Sequence, residues 1–536
     1  MSDFLLRLPK ALYRADQVKQ LDSLAIQRFN SAGFDLMQHA GAVAFDTIKQ
    51  RWPHTRFLRV FAGCGNNGGD GFIVAALAKA QSINCQVILV GDTQKLSDDA
   101  AAAYAKAQQA GVDFSRLADL VDASPILRQD LVSVDALFGT GLDRAVTGEY
   151  ALAIEQVNAS QGPVLAIDIP SGLNSDTGMP LGSAVKADVT VSFIGIKQGM
   201  LTGQGRDFCG EIVFSNLGLS DEVYLDESAP KPSAVRFDVN DATRHFMPRI
   251  KSSHKGSNGH VVIIGGDTSY GGAVIMAGEA ALRGGAGLVS IVTRSVNRAP
   301  ALARCPELMV CGTEDLGPQA TSETQGWKPV EALLGRATAL VVGPGLGKGR
   351  WSQQLFAMVL SVSRAKNIPL VIDADALHLL ADRQSMLPTP AALPWVLTPH
   401  PGEAAVLLNC DNAAIQQDRF AAVRQLVTLY SCTCLLKGSG TLVAEVSTDL
   451  PITLCTEGNP GMGSGGMGDV LSGIIGSFLA QGLDCVTSAK AAAAIHGEAA
   501  DLAASQLGER GLKATDLTDF IRQLVNPTVA ANSHRD

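Results

Sequence analysis

Aromatic residues make up only 5% of the 536-residue chain, and charged residues only 18%. No lysine- or arginine-rich run occurs and the net charge is −9. The basic surface that tracks a phosphate backbone is therefore missing, and no nucleic-acid partner is expected. The ten cysteines include no CxxC pair, the closest spacing being Cys432 and Cys434. That scatter argues against a disulfide framework or a cysteine zinc site and for buried thiols in a reducing compartment. No apolar run approaches the ~18 residues of a membrane span. The opening stretch MSDFLLRLPKALYRADQ carries Asp3 and Asp16 and no long apolar core, so it does not read as a secretory leader. A soluble, cytoplasmic protein with no membrane partner is the expectation.

Hydrophobic residues are plentiful at 46%, and there are 55 glycines, a composition for large buried cores joined by tight loops. At roughly 100–200 residues per domain the length predicts two to four domains. In the first half, short apolar runs such as FLRVFAG (57–63), QVILVG (86–91), LVSVDALFG (131–139), PVLAIDIP (163–170) and DVTVSFIG (188–195) alternate with Ala-rich stretches at 72–81 and 97–111. Continuous apolar strands alternating with helices predict a parallel sheet covered on both faces, here a Rossmann-like doubly wound α/β sheet. Residues 218–258 interrupt the pattern with polar, Pro-containing sequence. Alternation resumes with HVVIIGGD (260–267), GLVSIVT (287–293), ALVVGPG (339–345), PLVIDAD (369–375), WVLTPHPGE (395–403) and CTCLLKGSGTLV (432–443). Two α/β domains are expected, at 1–230 and 240–536.

The sharpest signal in the first half is the stretch Gly63-Cys64-Gly65-Asn66-Asn67-Gly68-Gly69-Asp70-Gly71, which follows a predicted strand and opens a predicted helix. It contains GxGxxG, and one reading is an ordinary dinucleotide fingerprint with Asp92 as its acidic residue. Asp70 argues against that reading. In the first helical turn its charge competes with a phosphate for the same free N–H groups. With two asparagines beside it, the loop suits a cation and a polar ligand. Asp135 and the pair Asp168 and Ser171 lie at other strand ends. If those ends converge, their oxygens suit a hard cation. Each aspartate alone reads as a helix cap or turn residue.

Taken together, GNNGGDG, DALFGTGL and AIDIPSGL resemble the NAD(P)H-hydrate epimerase family over roughly residues 10–225. The resemblance implies a potassium ion held through Asn67, Asp135 and Ser171. It implies substrate contacts from Asn66, Asn67, Gly68, Gly69 and Asp70, from Gly139, Thr140, Gly141, Leu142, Asp143, Arg144 and Ala145, and from Asp168. The implied substrate is a nicotinamide ring hydrated at its sixth carbon. Epimerisation requires the hydroxyl to leave one face and water to return to the other. Asp168 is the residue placed to carry the proton, with a turn cap as its alternative.

In the second half, Asn459-Pro460-Gly461-Met462-Gly463-Ser464-Gly465-Gly466-Met467-Gly468-Asp469 runs straight into the apolar stretch VLSGIIGSFLAQG. Free N–H groups at such a helix start form a concave anion site. Asp469 stands beside it, where a base can deprotonate a hydroxyl during phosphoryl transfer. Its alternative is a capping residue. No GK[ST] follows, so this is not a Walker A loop. It resembles the anion hole and catalytic aspartate of ribokinase-like folds. Lys437-Gly438-Ser439-Gly440-Thr441 reads as a nucleotide-contacting turn or as a plain hairpin turn. His400, between Pro399 and Pro401, reads as a rigidly held substrate contact, with capping as the alternative.

With GGDTSYGGA, VVGPGLG, VIDADAL and TPHPGE in this order, the second half resembles the NAD(P)H-hydrate dehydratase family over roughly residues 245–525. The resemblance implies a ribokinase-like α/β domain. It implies substrate contacts from Ala273, Gly345, His400 and Asp469, and nucleotide contacts from Lys437, Gly438, Ser439, Gly440, Thr441 and Gly468. ADP or ATP is the implied co-substrate, with ADP favoured by the fused architecture, and Mg2+ is expected on its phosphates. Hydrated NADH and NADPH are the implied partners, and homo-oligomers the implied assembly. The rival reading is a small-molecule kinase in the second half joined to a ligand-binding module in the first. The kinase would leave phosphate on its product, whereas the dehydratase releases it.

Overall fold

The structure is a computed structural model and describes residues 8–28, 32–121, 130–314, 327–382, 393–447 and 449–526. Residues 1–7 of the opening stretch and the last ten residues lie outside them. After Arg236 the chain passes from one compact unit to another. No helix among the described residues is long and apolar enough to cross a membrane.

The strands of the first unit are β1 (Ala11–Tyr13), β2 (Phe57–Ala62), β3 (Asn84–Leu89), β4 (Asp113–Arg116), β5 (Leu131–Ala136), β6 (Val164–Ile167), β7 (Val189–Phe193), β8 (Ile196–Lys197), β9 (Glu211–Ser215) and β10 (Ala234–Arg236). Seven of them form one sheet in the order β4-β3-β2-β5-β6-β7-β9, parallel throughout. β5, β6 and β7 are buried at every residue, which requires helices on both faces. Helices α1 (Ala15–Arg28), α2 (Gly33–Arg51), α3 (Asn66–Ala80), α4 (Asp98–Gln109) and α5 (Glu149–Asn158) supply them. Phe45 of α2 and Phe72 and Ile73 of α3 fill one face. Ala153, Ile154 and Val157 of α5 cover Phe61 and Ile88 on the other. A short group sets β1 between β10, antiparallel, and β8, parallel.

Strand order reverses between β2 and β5, so the loops leaving them diverge and open a crevice at the carboxyl ends. Close backbone approach brings the start of α3 to this crevice. A methyl group at Gly63 would lie 2.1 Å from the Leu137 carbonyl oxygen, and one at Gly68 would lie 2.0 Å from that of Gly63. Only glycine allows the helix to begin so close to both strand ends.

The second unit contains β11 (His260–Ile264), β12 (Leu288–Arg294), β13 (Met309–Thr313), β14 (Ala339–Val342), β15 (Leu370–Ile372), β16 (Trp395–Leu397), β17 (Thr433–Leu436), β18 (Thr441–Ala444) and β19 (Ile452–Cys455). They run in the order β13-β12-β11-β14-β15-β16-β17-β18-β19. The sheet is parallel from β13 to β17 and antiparallel beyond. Its helices include α6 (Gly271–Arg283), α7 (Arg350–Lys366), α8 (Asp375–Ala381), α9 (Pro401–Leu408), α10 (Arg419–Tyr430), α11 (Met467–Ala480) and α12 (Cys485–Leu507). The core joins α6, α11 and α12 to one face of the sheet. Gly473 lets α11 close on α6, since a methyl group there would lie 2.1 Å from the Ala277 carbonyl oxygen. That packing fixes the helix whose first turn carries Asp469. The stretch 432–443, read as one run in sequence, is a hairpin, with Lys437–Gly440 as the turn between β17 and β18.

Candidate functional site

In the first unit, Asn67, Asp135 and Ser171 meet at the switch point. Asp135 is fully buried. Its Oδ1 accepts the Ser171 hydroxyl at 2.6 Å and Leu137 N–H at 3.2 Å, and its Oδ2 accepts Ser171 N–H at 2.7 Å. Burial pushes its pKa up to about 6, although these hydrogen bonds act in the opposite direction. Asn67 donates from Nδ2 to the Phe138 carbonyl at 2.9 Å, while its buried Oδ1 has no hydrogen-bond partner among the described residues. Such an oxygen is costly unless something electropositive meets it.

Asp168 lies in the turn after β6 with φ +67, a left-handed conformation uncommon for residues other than glycine, asparagine and aspartate. Its Oδ1 is hydrogen-bonded by Lys197, whose side chain is 0% exposed against 17% for that of Asp168. The other oxygen, Oδ2, faces Gly139, where an added methyl group would lie 3.3 Å from it and 3.7 Å from Asn67 Cβ. Gly139, Asn67 and Asp168 thus share one corner. Asp70 lies just beyond the first turn of α3, which contains no acidic residue, and not in it as the sequence suggested. Its pKa is raised well above the usual carboxylate range, by burial first and then by the charges of Asp168 and Asp22.

Other expected residues are placed differently. Asn66 is exposed and accepts the Ser97 hydroxyl at 2.6 Å. Gly68 and Gly69 are buried, Gly69 against Met37. Thr140 and Leu142 are half-buried, and Gly141, Asp143, Arg144 and Ala145 are exposed on the loop beyond β5. Lys197 and Asp22 did not stand out in the sequence. A lysine inside the apolar stretch SFIGIKQGML (192–201) was the available signal, because a lysine there must find a partner or reach water.

In the second unit the Gly-rich turn ends at Gly466, with φ +93, as the N-cap of α11. Asp469 follows in the first turn. Its pKa is pushed up to about 7, by burial and by the negative charge of Asp373, with Lys437 opposing. Asp373, at the end of β15, is buried and accepts Lys437 Nζ at 2.9 Å and the Ser472 hydroxyl at 2.6 Å. Burial acts to raise Asp373, but the Lys437 charge and these hydrogen bonds prevail and hold it below the usual range. Lys437 also lies 3.5 Å from Glu403. Burial acts to lower Lys437, yet its acidic neighbours hold it above its usual value. Gly468 belongs to the same cluster, since a methyl group there would lie 3.3 Å from Lys437 Nζ. Asp373 and Glu403 lie within the quoted motifs VIDADAL and TPHPGE, but nothing in the sequence distinguished them from their neighbours.

His400 is the N-cap of α9. Its Nδ1 accepts Gly402 N–H at 3.0 Å and Glu403 N–H at 3.3 Å, and Glu403 returns the bond to His400 N–H at 2.8 Å. Capping is therefore its structural role. With Nδ1 committed as an acceptor, the neutral ring carries its proton on Nε2, and the side chain is 57% exposed. Ala273 and Gly345 are neighbours at the β11/β14 switch point, 3.1 Å separating Ala273 Cβ from a methyl group built on Gly345. Gly438 and Gly440 take positive φ in the hairpin turn, where Ser439 is exposed and the Thr441 hydroxyl donates to the Gly438 carbonyl at 3.1 Å. Behind the turn lies buried Arg419, which donates to the carbonyls of Leu436, Lys437 and Gly440.

Two α/β units, each with an acidic centre at the carboxyl ends of its strands, define a two-domain α/β enzyme. Residues 261–523 match the family described as NAD(P)H-hydrate dehydratase, and residues 33–199 match that described as YjeF-related protein N-terminus. The bifunctional NAD(P)H-hydrate repair enzyme Nnr of Coxiella burnetii is 42% identical over 523 residues, 96% of this chain and 99% of that protein. Its counterpart in Escherichia coli K12 is 39% identical, over 98% of this chain and 96% of that protein. Among solved structures, a ribokinase-like superfamily protein from Enterococcus faecalis V583 is 28% identical over 56% of this chain and 98% of its own, with a TM-score of 0.48. The chain belongs to the family of bifunctional NAD(P)H-hydrate repair enzymes, which join epimerase and dehydratase activities.

Proposed function

We propose that the first unit interconverts the R and S forms of hydrated NADH and NADPH, and that the second dehydrates the S form to NADH or NADPH at the expense of ADP or ATP. The observation that carries this reading is a matched pair. Each unit presents one partly accessible carboxyl, Asp168 or Asp469, at the carboxyl ends of its strands near a lysine that is ion-paired to an aspartate.

In the first unit, Asp168 carries a proton between the departing and the incoming water while the pocket around Gly139 and Asn67 holds the ring. The unpartnered Asn67 Oδ1, the buried Asp135 and Ser171 fit a potassium ion, one carboxylate among neutral oxygens being too little charge for a tightly held divalent ion. When bound, potassium would supply positive charge that orders the Asp135 carboxylate and the loop beyond β5. Loop residues 139–145, with Asn66 to Asp70, are the proposed substrate contacts.

In the second unit, Asp469 takes the proton of the ring hydroxyl as it attacks the nucleotide's terminal phosphate. Backbone N–H groups at Gly465–Gly468 meet the charge that develops. Phosphate is a far better leaving group than hydroxide; it departs with the C–O electron pair, and loss of a proton from the adjacent ring carbon then restores the double bond of the dihydronicotinamide. Mg2+ arriving with the nucleotide would neutralise phosphate charge. Lys437 to Thr441 and Gly468 are the proposed nucleotide contacts. Ala273, Gly345 and His400, whose side chain is 57% exposed, are proposed to contact the substrate.

The test supplies both epimers of hydrated NADH with ADP and Mg2+ and follows the return of NADH absorbance. Complete recovery is expected, blocked by Asp469→Asn and reduced by Asp168→Asn to a slow residue once the S epimer is consumed. Accumulation of a phosphorylated compound without NADH would overturn the reading.

A further inference from the structure

The carboxylate of Asp168 is held on one side only. Lys197 Nζ has three hydrogens and three acceptors: Asp168 Oδ1, the Ser192 hydroxyl at 3.1 Å and the Phe193 carbonyl at 3.2 Å. The ammonium is saturated, and with 0% of its side chain exposed it has no surface to offer a ligand. Phe193 N–H adds a weak 3.5 Å contact to the same Oδ1. Among the described residues nothing comparable reaches Oδ2, which faces Gly139 at the start of the loop beyond β5. Behind these contacts the backbone is also fixed, with Asp168 at φ +67 and its N–H bonded to the Val191 carbonyl at 2.7 Å.

We infer that Lys197 is a positioning residue for epimerisation: by tying down Asp168 Oδ1, it makes Oδ2 the oxygen that meets the substrate. Two further carboxyls, Asp70 on α3 and Asp22 on α1, feel the charge of Asp168, and Asp70 also feels that of Lys197. Lys197 bonds Asp168 directly, so the carboxylate keeps one orientation instead of turning towards solvent. A shift of about 1 Å in a reacting group costs on the order of 10²-fold in rate. Loss of the lysine should therefore lower kcat far more than it raises KM.

This inference rests on the proposed role of Asp168, and a double-mutant cycle on the full-length chain separates the two. Interconversion of the hydrated NADH epimers is measured for wild type, Lys197→Met, Asp168→Asn and the double variant, with folding followed by circular dichroism and limited proteolysis. Lys197→Met is expected to lower kcat by about 10²-fold and change KM by less than about 3-fold. In the Asp168→Asn background the same change should cost less than about 2-fold, because the group it acts through is gone. Lys197→Met at the wild-type rate, or an equal loss in both backgrounds, would overturn the inference. Full activity in Asp168→Asn would instead remove the proposed role of Asp168, a separate result. If Lys197→Met does not fold, Ser192→Ala carries the test by loosening the ammonium. A fall in kcat of about 3-fold or more at unchanged KM, absent in the Asp168→Asn background, supports the inference, and an unchanged kcat overturns it.

Discussion

Both units set an ion-paired lysine, buried in the first and half-buried in the second, near the carboxyl proposed to move a proton, but they use it in opposite ways. In the first, Lys197 bonds directly to Asp168. In the second, Lys437 bonds to Asp373, and Asp469 stands alongside with its pKa near 7. One lysine orients the acting carboxylate, while the other neutralises a neighbour and leaves the acting carboxyl unpaired. The difference suits the proposed chemistries. Epimerisation is symmetric and returns every proton it borrows, so a fixed orientation serves both directions. Phosphoryl transfer runs one way, and a base with pKa close to neutrality is matched to taking a hydroxyl proton.

The comparison can be broken most severely at the acting carboxyls. Asp469→Asn is expected to lower NADH formation from the S epimer by about 10³–10⁴-fold and leave epimerisation untouched, as read by NADH absorbance with purified S epimer. Asp168→Asn is expected to slow epimerisation by about 10²–10³-fold and leave S-epimer dehydration at its wild-type rate, which chromatographic separation of the epimers would show. Equal damage to both activities by either change would erase the division of labour.

Removing the lysine of the second unit tests whether its pair is structural. Lys437→Met strands Asp373 in a buried site and should destabilise that unit by about 3–5 kcal/mol, since breaking a buried pair leaves an uncompensated charge; denaturant unfolding measures it. The pH profile sharpens the contrast. Asp469 acts as a base only when ionised, so dehydration should rise with pH, about tenfold per unit below its pKa, and level off above about 7. Asp373 raises that pKa and Lys437 lowers it. Asp373→Asn removes the negative neighbour and frees the lysine, so the midpoint should move to lower pH. A midpoint that moves up or stays fixed would show that Asp373 does not set the behaviour of Asp469. The smallest expected effect is Gly473→Ala, about 1–3 kcal/mol of overpacking against Ala277, with the pH midpoint unchanged.

Central strands were legible in the sequence because burial on both faces makes them continuously apolar, as in LVSVDA and VTVSF. Edge strands were not. β4, DFSR, and β13, MVCGT, have no fully enclosed run and look like loop in sequence. The glycine-rich turns were legible because close backbone approach at Gly63 and Gly68 admits no other residue. Partners supplied by distant elements were hidden. Lys197 is 29 residues from Asp168, and Lys437 is 64 from Asp373, and no local pattern links such pairs. His400 shows a further limit, since the flanking prolines indicated rigidity but not that both α9 N–H groups would occupy Nδ1.

The left-handed backbone at Asp168 also bears on how this position can drift over generations. With φ at +67, side chains branched at Cβ are strongly disfavoured, while asparagine and glycine fit nearly as well as aspartate. The replacements that the fold accepts most readily are thus ones that silence proton transfer. A descendant could lose the first activity at a single codon while keeping its sheet, its crevice and its ligand contacts, and would survive as a folded binder.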